Sequence, residues 1–440
     1  MDKMLNFSHR AQCLREGAFR QERSLITGLA LSLLLTACAS APVEMQPSAR
    51  RAELFPLMNP PTLRADTEIT LGGFSALAYE GTDADGSLVF WTTTDRGPNA
   101  MSVQKKGQEL RPFLIPDFSP TWVRVKLNKA TREMEVLSQT SLSSPKGRPL
   151  TGLPNVEASK GRGGDEIPVN VKGDVIAMDL MGLDTEGLCF DSKRSPGAAQ
   201  STAAMDGGYA WMVEEYRPSL VKLSRDGKLV RRFVPAGSFG VREIRKIDAD
   251  VGRDTVMQAL PKELAKRKRN RGFEGVACHQ GLVYAIMQSP LPGEGKKVRL
   301  IEFDPEKEEV RRELVYHLED ANKADKIGDV TSDGQFLYVI EQNGESGSTS
   351  FHNVYKVSLP AADSKERTVK KELFVDLVKM GFSFEKVEGL AFVSPQILAV
   401  VSDNDFELNG ELDVKTGTVP MDKSRRSTIG LIPVSGSPVP

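Results

Sequence analysis

Histidine and cysteine are scarce, with four of each in 440 residues. Four cysteines are too few for a disulfide-built scaffold. No CxxC, HxH or HExxH pair supplies the clustered ligands of a zinc site. An excess of one charge is missing too: 58 Lys and Arg stand against 59 Asp and Glu, a formal net charge of −1. That excludes a nucleic-acid binder working by bulk electrostatics. A GxSxG nucleophile elbow is absent, and so is the Arg-His-Gly of a histidine acid phosphatase. After residue 38 no apolar run approaches the about 20 residues of a membrane span, and long amphipathic helix patterns are rare.

The one long apolar run lies near the start. Leu25 to Ala37 (LITGLALSLLLTA) is uncharged, with Arg20 and Arg23 just ahead. It is too short to span a bilayer and has the build of a signal-peptide core. It ends in Leu35-Thr36-Ala37-Cys38, which resembles the lipobox of bacterial lipoproteins. The resemblance implies acylation of Cys38 and a membrane anchor without a spanning helix. Ala39 and Ser40, with no Asp after the cysteine, favour the outer membrane of a two-membrane cell. The expected organisation is a signal peptide over 1–37, a tether over 38–66 and one domain over 67–440. Residues 41–66 hold five prolines and no clear period.

The domain repeats itself. Short Val/Ile/Leu/Tyr/Phe runs alternate with turn residues, and Asp85-Gly86, Asp226-Gly227 and Asp333-Gly334 mark hairpins. A module recurs five times, opening on GGFSALAYE, DTEGLCF, GFEGVACHQG, KIGDVTSDG and KVEGLAFVS. Each opening is followed by a second strand ending in polar residues and by one or two outer strands. Four-stranded units at this period predict an all-β protein, a β-propeller of about five to seven blades. A further blade can hide in 145–183, or the ring can close with strand material from 53–72. Residues 248–271 read as a helical excursion, giving a short helical insertion near 255–270. The basic run Lys266-Arg267-Lys268-Arg269 with Arg271 reads as a solvated face, or else as a binder of phosphate or anionic lipid heads.

In a propeller the inner strands line a central channel, so equivalent residues converge there. These are Ser75, Glu186, Glu274, Asp329 and Glu388. The second strands end at Asp95 and Arg96, Glu214 and Glu215, Gln288, Glu341, and Asp403 and Asp405. So many carboxylates at one mouth repel one another, which raises their pKa values. A hard cation relieves this, and Ca²⁺ takes six to eight oxygen ligands in flexible geometry. The expected metal ligands are Glu186, Glu274, Asp329, Glu341 and Glu388. The expected catalytic set is Glu186, Glu274, Asp329, Glu388, Asp95 and Arg96, with Glu214, Glu215, Gln288 and Asp403 binding substrate. The architectural alternative is that Glu-Gly-Leu serves the ring itself, the carboxylate accepting backbone N–H bonds from the next blade and the glycine permitting close approach.

Other features read as structural. Gly161-Arg162-Gly163-Gly164 lacks the Lys-Ser/Thr of a P-loop, and Cys189 to Arg194 is one residue short of a cysteine-phosphatase loop. His279 reads as structural, with a place at the channel mouth as the alternative. Cys189 and Cys278 lie three and four residues after their Glu, which predicts opposite faces and no disulfide.

NRGFEGVA, DTEGL with WMVEEYRPSLVKLSRDGKLVRRF, FSALAY with TTDRGPN, and VEGLAF with VVSDNDF together resemble the phytase-like domain, the esterase-like activity of phytase family, over residues 70–408. The resemblance implies a secreted or lipid-anchored bacterial propeller with esterase-like or phosphoesterase-like activity. The expected function is therefore a Ca²⁺-dependent hydrolase of phosphate esters or simple esters, with no nucleic-acid partner. The alternatives are a non-catalytic envelope lipoprotein that binds a ligand or protein partner, and a lactonase.

Overall fold

The structure is a computed structural model that describes residues 51–156, 165–191, 208–319 and 323–434. The signal sequence, Cys38 and the Gly161–Gly164 stretch lie outside those residues. Strand β1 (Glu53–Pro56) opens the described chain. The first blade is β2 (Ala78–Thr82), β3 (Leu88–Thr93), β6 (Thr121–Asn128) and β7 (Glu133–Ser141). Between its second and third strands the chain leaves the blade as β4 (Val103–Lys105) and β5 (Gln108–Pro112), which join β8 (Ile167–Val169) in a small separate sheet. The second blade is β9 (Thr185–Phe190), β10 (Ala210–Glu214), β11 (Ser219–Leu223) and β12 (Leu229–Pro235), extended after helix α1 (Val241–Val251) by β13 (Val256–Leu260). The third is β14 (Phe273–His279), β15 (Leu282–Met287), β16 (Lys297–Asp304) and β17 (Glu309–His317). The fourth is β18 (Lys326–Ser332), β19 (Leu337–Gln342), β20 (His352–Ser358) and β21 (Lys370–Asp376). The fifth joins β22 (Val387–Ser394), β23 (Ile397–Ser402) and β24 (Thr428–Pro433) to β1.

The inner strands pack in order, β2 on β9, β9 on β14, β14 on β18 and β18 on β22, and β22 returns to β2. The fold is a β-propeller of five blades. Strand β1 pairs antiparallel with β24, Leu54 opposite Gly430, so the last blade is completed by the start of the described chain. Among the described residues of 145–183 the one strand is β8, which joins the small separate sheet and forms no blade. Burial follows position in the blade. Strands β10 and β19 are buried at every residue, apolar until they end in Glu214 and in Glu341-Gln342, whereas outer β7 is buried only at Met134. The three Asp-Gly turns all place glycine in the left-handed region, φ 82° at Gly86, 77° at Gly227 and 90° at Gly334.

The glycine of the repeated opening lets blades meet. A Cβ on Gly187 would lie 2.7 Å from Val276 N in the next blade, one on Gly275 2.6 Å from Val330 N, and one on Gly389 2.5 Å from the Ala76 carbonyl carbon. In blades two to five the ladder between the first two strands slips by one residue at this point. The extra residue is Gly187, Glu274, Gly328 or Glu388. Such bulges re-aim a side chain out of the strict alternation, here at the channel.

The expectation of no disulfide is corrected, because Cys189 and Cys278 form one that joins β9 to β14. Cys189 stands opposite Trp211, whose ring meets Phe303 of blade three, and Cys278 stands opposite Val283, itself opposite Phe303. Blades two and three meet face to face, so the two cysteines lie on opposite faces of their own sheets, which is the facing that a bridge between blades needs.

The helical insertion near 255–270 is also corrected. The helix runs earlier, over Val241–Val251, with Ile247 and Val251 buried at helical spacing and Gly240 N–H bonded to Glu243 Oε2 at 2.8 Å. Residues 256–260 instead add in parallel to the free edge of β12, Arg232 opposite Val256. Pro261, which cannot donate to a ladder, precedes a single 3₁₀ turn at Lys262–Lys266. Among the described residues no helix is long and apolar enough to cross a membrane.

Candidate active site

One group of acids stands out at the inner ends of blade two. Asp184, Glu186 and Glu215 are buried, and one carboxylate oxygen from each lies within 4.8 Å of the others. Local structure fixes them. Thr185 Oγ1 donates to Thr94 O at 2.7 Å and Gly187 N to Ser75 O at 2.9 Å, which tie β9 to blade one. Glu215 N bonds Asp184 O at 3.0 Å, and a Cβ on Gly272 would collide with the Glu215 carbonyl, so the next blade packs directly over it.

Satisfaction of these groups is incomplete. Asp184 Oδ1 accepts from Arg96 N at 3.1 Å, but buried Asp184 Oδ2 and Glu215 Oε1 have no hydrogen-bond partner. Burial, reinforced by Glu274, Glu388, Asp184 and Glu215, pushes the Glu186 carboxyl well above the ordinary range. Burial and the charges of Asp184 and Glu274 do the same to Glu215. Asp184 Oδ2 still faces the Arg96 guanidinium at 3.3 Å, whereas Glu215 forms no salt bridge among the described residues; a buried carboxylate oxygen without hydrogen bonds carries a large desolvation cost that a cation or a proton relieves. The donors are all carboxylate oxygen, the set a hard divalent cation accepts, so the residues present fit a metal without fixing its identity.

The neighbouring residues surround this triad. Arg96 reaches Asn270 Oδ1 at 2.9 Å, Asp184 Oδ2 at 3.3 Å and Glu166 Oε2 at 3.5 Å, with its guanidinium over the Tyr216 ring. Asp95 accepts from Gly97 N at 2.8 Å, and burial, with Asp403 and Asp184 nearby, raises its pKa strongly. Glu274 accepts from Gln288 Nε2 at 2.6 Å, and burial and Glu388 push it up to about 8. Glu388 accepts from Ser75 Oγ at 3.3 Å and faces Lys326 Nζ at 3.9 Å. Asp403 is held by Lys386 at 2.9 Å, and burial still lifts it to about 7. Lys386 also pairs with Asp405, the first of three consecutive residues with left-handed backbone, Asp405 at φ 48°, Phe406 at 55° and Glu407 at 63°. A strained turn therefore borders the site, as at many functional loops.

Three expected residues have other employment. Asp329 accepts the backbone N–H of Val330 at 2.7 Å and of Leu390 at 3.1 Å, binding β18 to β22 in the manner of the architectural alternative. Glu214 accepts from Asn155 at 2.8 Å, Tyr216 N at 3.0 Å and Arg217 N at 2.8 Å, and pairs with buried Arg232 at 3.2 Å. Glu341 accepts from Tyr316 Oη at 2.5 Å and Glu319 N at 2.8 Å and pairs with Lys371. His279 sits at the far end of β14 from Glu274, bonded to Ser332 Oγ at 2.7 Å.

The basic run is not simply a solvated face. Arg267 is 3% exposed and pairs with Asp165, and Arg271 bonds Gln288. The sequence reading missed Asp184, Lys326 and Lys386, and it named Arg271 only with the basic run. Asp184 carried a signal, since it stands two residues before Glu186 and so shares its face. Lys326 and Lys386 each lead into an inner strand, ahead of Asp329 and Glu388 respectively.

An uncharacterized secreted protein of Arthroderma benhamiae is 24% identical over 267 residues, which are 53% of this chain and 49% of that protein. The chain thus spans about half the length of the curated relative it matches. Among solved structures, the catalytic domain of a GH62 α-L-arabinofuranosidase from Coprinopsis cinerea aligns over 90% of this chain and all of its own (100%), with 8% identity and a TM-score of 0.42. The PQQ-bound aldose sugar dehydrogenase of Streptomyces coelicolor aligns over 85% of this chain and 99% of its own, with 11% identity and a TM-score of 0.31. Likeness at this level says nothing of activity. Residues 69–406 match the Phytase-like family, described as esterase-like activity of phytase, and the chain belongs to that family.

Proposed function

We propose that this propeller is a metal-dependent hydrolase of phosphate esters or simple esters, with Ca²⁺ as the metal. The observation that supports it most is the buried triad Asp184, Glu186 and Glu215 with two carboxylate oxygens left without hydrogen bonds. These three residues would hold the cation. When bound there, a hard divalent cation polarises an ester or phosphoryl oxygen and lowers the pKa of water. The chain's own groups do the rest. Arg96 fixes Asp184 through its backbone N–H and guanidinium. Glu274, pushed up to about 8 and oriented by Gln288, carries a proton near neutrality and can donate it to a leaving oxygen. Asp95 and Asp403 complete the acid wall, and Glu388 is steadied by Ser75.

The test is turnover of phosphate esters, aryl esters and lactones before and after chelation, with thermal melting in parallel. Ca²⁺ should raise the melting midpoint of the native protein by mass action, and Glu215→Gln or Asp184→Asn should remove both that shift and turnover. Activity that survives chelation unchanged overturns the metal role. No turnover at all, with the Ca²⁺ shift retained, leaves a ligand-binding propeller.

We further propose export and anchoring through acylated Cys38. The relative's description as secreted supports export, and the run ending in Leu35-Thr36-Ala37-Cys38 supports the anchor and outer-membrane retention. Cys38→Ser should release the protein from the membrane fraction, and unchanged retention would refute the anchor.

A further inference from the structure

Two cations stand beside the acid triad with most of their hydrogen-bonding capacity unused. Lys326 is 8% exposed, yet among the described residues its ammonium makes no hydrogen bond, and its one ion pair is the long 3.9 Å approach to Glu388 Oε1. Arg271 lies before β14 and spends one guanidinium nitrogen on Gln288 Oε1, while no carboxylate forms a salt bridge with it among the described residues. Backbone geometry brings the two together, because Ile327 N bonds Gln288 O at 2.8 Å and so holds Lys326 beside the residue that Arg271 grips. Gln288 in turn donates to Glu274 at 2.6 Å. Both cations act on Glu274, and Arg271 also acts on Glu215 of the triad.

Neither the Lys326 ammonium nor any Arg271 nitrogen is among the buried atoms left without a partner, so solvent reaches both heads and an anion can replace it on their spare donors. A structural ion pair elsewhere looks different: Arg312 is held by both oxygens of Glu302. We propose that Arg271 and Lys326 form an oxyanion-binding face on the blade three to four side of the channel, and that the substrate carries an anionic phosphate-like or carboxylate group seated there. This rests on the hydrolase reading for the word substrate, but the anion site itself does not. It narrows that reading to esters bearing a negative charge and assigns specificity to two residues outside the metal-holding set.

The experiment is calorimetric titration of the full-length protein, in detergent and with Ca²⁺, with inorganic sulfate and separately with acetate. Sulfate is a tetrahedral dianion that stays soluble beside Ca²⁺. Wild type should bind sulfate, and Arg271→Gln and Lys326→Gln should each weaken it at least about tenfold, since a charge-assisted hydrogen bond is of that worth. Arg269→Gln, from the same basic run, should bind as wild type does. Acetate weakened by the same two variants supports a carboxylate-bearing substrate as well as a phosphate-like one. No sulfate or acetate binding by wild type, or binding indifferent to both variants, overturns the proposal. Lys326→Met, which keeps the apolar stem in its buried setting, replaces Lys326→Gln should that variant melt early. The Ca²⁺ melting shift, read on the same samples, separates the two hypotheses: anion binding with no Ca²⁺ shift and no turnover sinks the hydrolase reading alone.

Discussion

At the scale of single residues, what matters is which buried charges have found partners. Glu214, Asp329 and Glu341 look in sequence like Glu186 and Glu215, each within or beside an apolar strand. They differ in how many backbone N–H groups or cations happen to reach them, and that depends on neighbours 30 to 61 positions away, such as Lys371, Asn155 or Leu390. A one-dimensional pattern can mark a carboxylate as channel-bound but cannot count its hydrogen bonds. Asp184 was within reach of an i, i+2 argument, whereas Lys326 and Arg271 become meaningful only when the third and fourth blades meet. Buried titratable groups also set the pH response. His352 is fully buried, and burial, with Lys326 nearby, lowers its pKa to about 4 from 6.5. The folded state therefore resists protonation between those values while the unfolded chain does not, so stability falls as pH drops through that window. The loss approaches about 3 kcal/mol below the lower value. Urea unfolding of wild type and His352→Leu from about pH 7 to about pH 5 should show the gap between them move against wild type as pH falls. Parallel curves would remove His352 from the account.

At the scale of elements, the alternation of apolar and polar residues made the strands legible, and the Asp-Gly pairs located three of their turns. Helix and strand were confused only where the chain leaves the blades. Residues 256–260 have no strict alternation, and they become a strand because β12 offers an open edge. The bulges at the Glu-Gly openings were invisible, since a one-residue slip leaves composition untouched and inverts facing. The Cys189–Cys278 bridge was not expected because opposite facing was taken to separate the cysteines, whereas blades that meet face to face require it. It joins inner strands of adjacent blades across a sequence separation of 89. In the chain-entropy view a loop of that length gives a bridge worth about 4 to 5 kcal/mol. Replacing both cysteines with serine should lower unfolding free energy by a large part of that. The effect should vanish when wild type is compared with the double variant under reducing conditions. A double variant as stable as oxidised wild type would show that the bridge does not form.

At the scale of the whole molecule, a ring of blades is only as stable as its closure. Blades one to four each use strands that follow in chain order, the first interrupted only by the β4–β5 excursion, but the fifth takes its outer strand from residues 53–56, more than 370 positions from β24. The sequence reading offered this closure and a hidden sixth blade as alternatives, because a four-residue strand among prolines carries little pattern; the pairing itself decides for closure. Strand β1 contributes Phe55, 1% exposed and packed in the cluster that joins the first and fifth blades with Leu71, Phe74, Val401 and Ile429. Gly430, opposite Leu54, leaves room for the Phe382 ring beneath the same strand. Phe55→Ala should therefore cost about 3 to 5 kcal/mol, the range for a buried phenylalanine lost from a packed core. Because the contact spans the seam, the loss should appear as a lower midpoint of a single cooperative transition rather than as early melting of one blade. Thermal unfolding followed by near-ultraviolet and far-ultraviolet circular dichroism distinguishes these outcomes. Coincident curves at a reduced midpoint fit a ring closed by β1, and an unchanged midpoint would mean that the seam is held by the other strands of the fifth blade.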